Sequence, residues 1–139
     1  MDNYKSGGRT RNIINIANVG GGGTVAFAFT AATAVPGLAT DGFANWGTQK
    51  NLHVAIGYSG GSGTCQFVIW GYHSFSGEWG LLNIIDPADG GNNPITISVT
   101  NNTKVYSIVP IEGLERVYIQ CTSWGTGGAA GAYLGVNTI

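Results

Sequence analysis

Charged residues are scarce in this sequence. Six Lys or Arg and seven Asp or Glu make up 9% of 139 residues, against a usual ~25%. Proline occurs four times, while cysteine and histidine occur twice each. A net charge of −1 with 43% hydrophobic residues excludes a disordered chain. No apolar run reaches the ~20 residues of a membrane-spanning helix, and the near-neutral balance gives no general attraction to nucleic acid.

Glycine is abundant instead, with 24 residues, and it opposes helix formation. Strand-like runs alternate with clusters of Gly, Asn and Pro from residue 11 onward. This pattern predicts an all-β fold, an antiparallel β-sandwich of jelly-roll type with eight or nine strands and Gly-rich hairpins. We expect a flexible basic N-terminal arm over residues 1–10 and a single β-sandwich domain over residues 11–139.

Turn signals divide the strands. Residues 59–63 predict a Gly-rich hairpin, Asn101-Asn102 a two-residue hairpin turn, and residues 125–131 a further Gly-rich turn. Residues 64–73 carry apolar or aromatic side chains on both faces, which predicts a strand covered on both sides. Residues 31–47 form the longest irregular stretch, and loops of this length are often functional.

Residues able to perform chemistry are few. Ser59 lies in a Gly-x-Ser-x-Gly match, but a strand pattern follows it where a nucleophile elbow needs a helix. His53 and His73 lie in strand patterns without metal-ligand spacing. Cys65 and Cys121 share strand faces with apolar residues, so we expect buried thiols, and an inter-sheet disulfide stays open. The sequence therefore predicts no enzyme, no catalytic residues, no metal and no cofactor.

Half of the basic residues lie within the first eleven positions. These are Lys5, Arg9 and Arg11, and we interpret them as contacts of the arm with an acidic partner.

Aromatic residues are the other candidates for binding. Trp46, Trp79 and Trp124 lie near strand ends or loops, and they fit sugar stacking, or else a place in the core or in a subunit interface.

The C-terminal part of the chain carries a resemblance. Residues 113–122 (GLERVYIQCT) and 132–137 (AYLGVN) resemble the end of small virion proteins of tailed bacteriophages, in particular head decoration (cement) proteins. The resemblance implies a β-sandwich, often trimeric, that docks on the major capsid protein of an assembled head and brings no catalytic residues.

We therefore hypothesise a structural virion protein on the capsid surface that stabilises the head shell. A homotrimer is expected, with no nucleic-acid and no membrane partner. No apolar segment follows Met1, as expected of a chain made in the host cytoplasm. One alternative is a carbohydrate-binding β-sandwich module, for example of a phage adhesion or tail component. The other is a small enzyme that would depend on Ser59.

Overall fold

The computed structural model describes residues 11–12, 25–44, 51–85, 92–111 and 113–137. Within these ranges the chain is all-β, with antiparallel strand pairs. The strands are β1 (Arg11–Asn12), β2 (Val25–Phe29), β3 (Phe43–Ala44), β4 (Asn51–Ser62), β5 (Thr64–His73), β6 (Glu78–Leu81), β7 (Asn83–Ile85), β8 (Asn92–Pro94), β9 (Thr96–Thr100), β10 (Thr103–Pro110), β11 (Arg116–Ser123) and β12 (Thr126–Asn137).

The strands form two five-stranded sheets and one small hairpin. The first sheet has the order β1-β12-β4-β10, with β2 also paired to β12. The second has the order β3-β11-β5-β6, with β9 also paired to β5. Among the described residues, β7 and β8 pair only with each other. The predicted β-sandwich is therefore confirmed.

The pairing is nested, as in a jelly roll. Strand β2 pairs with β12 at the outside of the series, β3 with β11, β4 with β10, and β5 with β6 at the centre. Strands β6 and β9 run along the same edge of β5 as one interrupted strand. The N–H of Leu82 continues the ladder to Ile69, and the β7–β8 hairpin projects from the interruption. This interruption and short strands such as β3 explain why the strands outnumber the eight or nine predicted.

The core lies between the two sheets. Alternate residues of each long strand point inward, so β4 repeats buried and half-buried positions from Asn51 to Tyr58. On its outer side β5 buries Val68 and half-buries Trp70 and Tyr72, so the predicted cover on both faces is found over residues 68–72. Thr64 and Gln66, at the start of the strand, are exposed. The largest fully buried side chains are Tyr58, Phe43, Phe67, Leu52, Ile56, Ile69, Ile111, Leu134, Val54, Val99, Val109 and Val117.

Two turn predictions were wrong because glycine also forms strands here. Strand β4 continues through residues 59–62, and the chain reverses at Gly63, where φ is +82°. Residues 126–131 belong to β12 and pair with this same segment, with Gly127 opposite Gly61. A Cβ on Gly61 would meet the Thr126 and Gly127 carbonyl oxygens, so the missing side chain permits this close backbone approach.

The turn at Asn101-Asn102 was located correctly, and Asn102 has a φ of +65°. The prediction that this turn joins two strands paired as a hairpin was wrong. Strand β9 pairs with β5, whereas β10 pairs with β4, so the turn leads the chain from one sheet to the other. Alternation within each strand contains no information about this exchange of sheets.

Candidate interaction surfaces

The outer face of the first sheet carries two tyrosines in one row. Register places Tyr106, Ala55, Tyr133 and Ala26 side by side on β10, β4, β12 and β2. Tyr106 is 77% exposed and Tyr133 57% exposed. The neighbouring rows are Lys104–Gly57–Gly131–Ala28 on one side and Ile108–His53–Gly135 on the other.

These rows form a surface with high aromatic ridges over a low floor. Ile108 is also strongly exposed, at 65%, while the positions between the large side chains are mostly Ala or Gly. We name this surface the tyrosine face and define it by Tyr106, Ile108 and Tyr133, with Ala55 and His53 on its floor. Strand β10, which contributes two of the three large side chains, is the edge of its sheet among the described strands. Long apolar edge strands favour pairing with other chains.

The tyrosine face has little polar character. Lys104 is the charged side chain of the rows given above, and its aliphatic part lies over Gly57, where a Cβ would stand 3.2 Å from Cγ. His53 has a buried Nε2 atom without a hydrogen-bond partner in the described structure. A buried polar atom without a partner costs about 1–3 kcal/mol. The face is therefore not built for solvation.

A loop of residues 30–42 covers the outer face of the second sheet. Arg116 on β11 donates from Nε and Nη2 to the carbonyl oxygens of residues 40–42, at 2.8–3.1 Å. The Asp41 carboxylate accepts the N–H groups of Gly37 and Leu38, both at 2.8 Å. These two backbone hydrogen bonds, followed by the Arg116 charge, lower the pKa of Asp41. The loop is thus held by the hydrogen bonds of Asp41 within it and by the hydrogen bonds from Arg116 on the sheet.

Beneath this loop lies a cluster of aromatic side chains that includes Trp79. Its ring is 5.2 Å from that of Tyr72 and 6.0 Å from that of Tyr118. Its N–H donates to the Leu38 carbonyl oxygen at 2.9 Å, and the Tyr118 hydroxyl donates to that of Ala34 at 2.9 Å. Burial raises the pKa of Tyr118. Trp79 therefore joins the loop to the sheet.

The loop itself presents apolar side chains outward. Leu38 is 65% exposed and Val35 58% exposed. On the same sheet Leu81 is 36% exposed, and Phe75 in the turn after β5 is 85% exposed. Both outer faces of the sandwich thus carry apolar side chains that neighbouring molecules could bury.

Trp124 occupies a structural position at one end of the sandwich. Its ring packs edge-on against Tyr58 at 5.1 Å, and its N–H donates to the Gly127 carbonyl oxygen at 3.1 Å. Both Trp124 and Trp79 have their indole N–H groups bonded within the chain. A stacked sugar would therefore find no free indole donor at either position.

A shallow cavity of about 330 Å³ opens beside β6. Leu82 and Leu114 contribute apolar walls, while His73 and Glu78 contribute polar side chains. Nearby, Glu115 accepts two hydrogen bonds from Ser74 that lower its pKa, with a smaller effect of His73. Across the described ranges, no group of three or more His, Cys, Asp or Glu is arranged to hold a metal ion.

Half of the predicted site residues fall outside the described part of the chain, namely Lys5, Arg9 and Trp46. Arg11 belongs to β1, where its backbone pairs with Val136 of β12. The structure thus gives no side-chain geometry for the proposed basic arm.

Residues considered for chemistry have ordinary places in strands. Ser59 is exposed and lies within β4 opposite Ala129, so the strand-to-helix elbow of a nucleophile is not formed there. Cys65 and Cys121 are both buried and unbonded, as expected of core thiols. Burial, with a smaller effect of Cys65, raises the pKa of Cys121 to about 11. No helix within the described ranges is long and apolar enough to cross a bilayer.

Tyr106 and Ile108 were not predicted as surface residues from the sequence. A signal was present, because residues 103–110 alternate with apolar side chains on both faces, Val105 and Val109 inward and Tyr106 and Ile108 outward. Periodicity alone does not tell which face a second layer covers.

Comparison with known proteins gave matches at the level of structure. No protein-family model and no curated protein matches the chain. The SPBc2 prophage-derived protein YomS matches with a TM-score of 0.47 and 24% sequence identity, over 82% of this chain and 93% of that chain. A chain of the Bacillus endospore appendages, a novel family of disulfide-linked pili, matches with a TM-score of 0.42 and 16% identity, over 84% and 86%. Likeness at this level does not assign a function.

Proposed function

We propose that this chain is a structural protein of a tailed-bacteriophage virion, and that it docks on the assembled head shell and reinforces it. The observation that carries the proposal is the exposed apolar surface on both outer faces of the sandwich, with Tyr106 and Tyr133 on one and Leu38 on the other. Apolar surface of this kind is typical of chains that neighbours cover. The small number of charged residues and the resemblance of residues 113–122 to head decoration proteins support the same role.

Contact with the shell is assigned to the basic arm. Lys5, Arg9 and Arg11 concentrate positive charge near one end of a chain that is otherwise nearly neutral. An acidic surface of the major capsid protein would attract such a segment, and this attraction would weaken with salt. A protein that binds the assembled lattice but not its free subunits stabilises the lattice by mass action. The role requires no catalysis, cofactor or metal.

The experiment is cosedimentation of the purified chain with assembled heads made from the major capsid protein of the same genome. Saturating binding to heads, without binding to unassembled capsid protein, is the expected result. A variant with Lys5, Arg9 and Arg11 replaced by Ser should lose most of this binding. A Lys50→Ser variant, which removes a cation elsewhere in the chain, is the control. Absence of any binding of the unaltered chain to heads would refute the proposal.

The alternative of a carbohydrate-binding module stays a prediction that the geometry does not favour. It needs an exposed aromatic face with polar groups free to meet sugar hydroxyls. Trp79 and Trp124 pack against other aromatic rings and have bonded N–H groups. Specific hits on a glycan array would reinstate it, and an array without hits would remove it.

A further inference from the structure

We infer that the tyrosine face binds the same face of a second copy of this chain, in a two-fold contact between the first sheets. This inference concerns self-association and does not depend on whether a head shell is the other partner. It stands on the shape, the area and the charge of the face.

The shape of the face suits interlocking with itself. Tyr106 and Tyr133 stand on strands two spacings apart, about 9.6 Å, with Ala55 between them. A ring placed over Ala55 would stand about 4.8 Å from each tyrosine, within the 4.5–7 Å range of favourable aromatic pairs. The groove therefore has the width of one aromatic side chain.

Symmetry allows both copies to use this groove together. A two-fold axis parallel to the strands, midway between Ala55 and Tyr133, puts Tyr133 of each copy over Ala55 of the other. The same rotation carries Tyr106 of each copy to the open position over Ala26. The ridges of each sheet then enter the grooves of the other, as in the packing of two sheets about 10 Å apart.

The area of the face approaches what a stable contact needs. From their exposed fractions, Tyr106, Ile108 and Tyr133 present on the order of 400–500 Å². A standard interface buries about 800 Å² per partner. The floor adds to this area, since no atom of the described residues lies within 4 Å of a Cβ position on Gly131.

Charge also favours a second copy over an ionic partner. Lys104 is the charged side chain of these rows, so the face has no pattern that would recognise a strongly acidic or basic surface. In the two-fold arrangement the two Lys104 side chains start from strands about 14 Å apart, farther than the screening length of ~8 Å in physiological salt. Nothing in the face therefore repels its own copy.

The experiment is light scattering after size exclusion, over a range of protein concentrations. The unaltered chain should have twice the mass of one chain. Tyr133→Lys should leave the fold intact, because the side chain is 57% exposed, and should raise the dimer dissociation constant about 1000-fold, since a two-fold contact loses the tyrosine twice. Ile108→Lys is a second variant on the same face. Phe75→Lys removes a more exposed aromatic residue elsewhere and should keep the doubled mass.

Each other outcome overturns the inference. A single-chain mass of the unaltered protein at every concentration would show that the face does not self-associate. A mass of three chains would mean a ring, which needs two different surfaces per copy, as in the homotrimer expected from the sequence. Dissociation by Phe75→Lys, or a doubled mass that survives both variants of the tyrosine face, would place the contact elsewhere. Binding to heads is measured in the separate cosedimentation experiment. Its failure would therefore not be confused with a result on self-association.

Discussion

Removal of the Tyr58 hydroxyl should destabilise the fold without changing its shape. This hydroxyl lies among the carbonyl oxygens of Ser62, Thr126 and Gly127, at 3.1, 3.1 and 2.9 Å. The side chain is 1% exposed and comes from β4, where it faces the Gly-rich ends of β4 and β12. Its single O–H can satisfy these acceptors only in part. Without it the Ser62 and Thr126 oxygens lose this donor, whereas the Gly127 oxygen keeps the N–H of Trp124.

The magnitude follows from the burial and the chemistry. Tyr58→Phe keeps the ring and its edge-on contact with Trp124, so the change is confined to one buried donor. Loss of a partly buried hydrogen bond that leaves the Ser62 and Thr126 oxygens without this donor costs about 1–2 kcal/mol. For a chain of 139 residues this corresponds to a fall in Tm of about 3–6 °C. The urea m-value should not change, because the same surface is exposed on unfolding.

Urea and thermal unfolding at one fixed protein concentration are the appropriate assays, because self-association makes stability depend on concentration. Tyr72→Phe is the matched control, since its ring contacts Trp79 as that of Tyr58 contacts Trp124, but the side chain is only half-buried and lies outside the tyrosine face. Its hydroxyl should contribute within about 0.5 kcal/mol. Equal stability of the Tyr58→Phe and Tyr72→Phe variants would refute the reasoning. It would mean that water or a backbone shift satisfies the carbonyl groups as well as the hydroxyl does.

Three further predictions use other parts of the structure. Gly61→Ala should cost about 1–3 kcal/mol in urea unfolding, because its Cβ would meet the backbone carbonyl oxygens of Thr126 and Gly127, whereas Gly80→Ala, with nothing of the described residues within 4 Å, should be tolerated. The lowered pKa of Asp41 means that its stabilisation of the loop is present above its ordinary pKa of 3.8 and is lost as pH falls below it. The protection factors of the loop amides in hydrogen exchange, which are relative to the intrinsic rate at each pH, should fall there, and Asp41→Asn should remove this pH dependence. Cys121, with a pKa raised to about 11, should resist iodoacetamide at pH 8 until the protein unfolds, as mass spectrometry would report; rapid labelling of the native chain would contradict its burial.

Local pattern sufficed for most strands of the fold. The alternation of Val117, Ile119 and Cys121 predicts β11 and its inward face, and both are found. The scarcity of helix formers and the frequent turn signals suffice to predict the sandwich. These features are visible in sequence because period-two burial depends on neighbours along the chain.

Pairing between distant segments was not predictable in the same way. The glycines of residues 59–63 and 125–131 each indicate a turn when considered alone. In the structure the two segments pair with each other as strands. The close approach of their backbones and the hydrogen bonds of the Tyr58 hydroxyl stabilise this pairing. Similarly, the sequence allows Trp79 to be an exposed stacking platform. In the structure the loop held by Arg116 lies over its ring, and a loop carbonyl oxygen accepts the hydrogen bond from its N–H. In both cases the deciding contact joins residues more than 35 positions apart.

The abundance of glycine and the scarcity of charge have a common explanation in the first sheet. Glycine and alanine at Gly57, Gly131 and Ala55 keep the floor of the tyrosine face low, so that Tyr106 and Tyr133 stand above it. An isolated soluble sheet would gain from Lys, Glu or Thr at such outer positions, since these residues solvate the face and block edge pairing. Small residues weaken the strands and offer no solvation, so their place on an outward face is reasonable only if another surface fills the grooves. When a second copy fills the grooves, the small residues allow its tyrosine rings to pack closely against the sheet, and this contact offsets the lower strand stability. The tyrosine face is therefore the first surface on which to look for a partner.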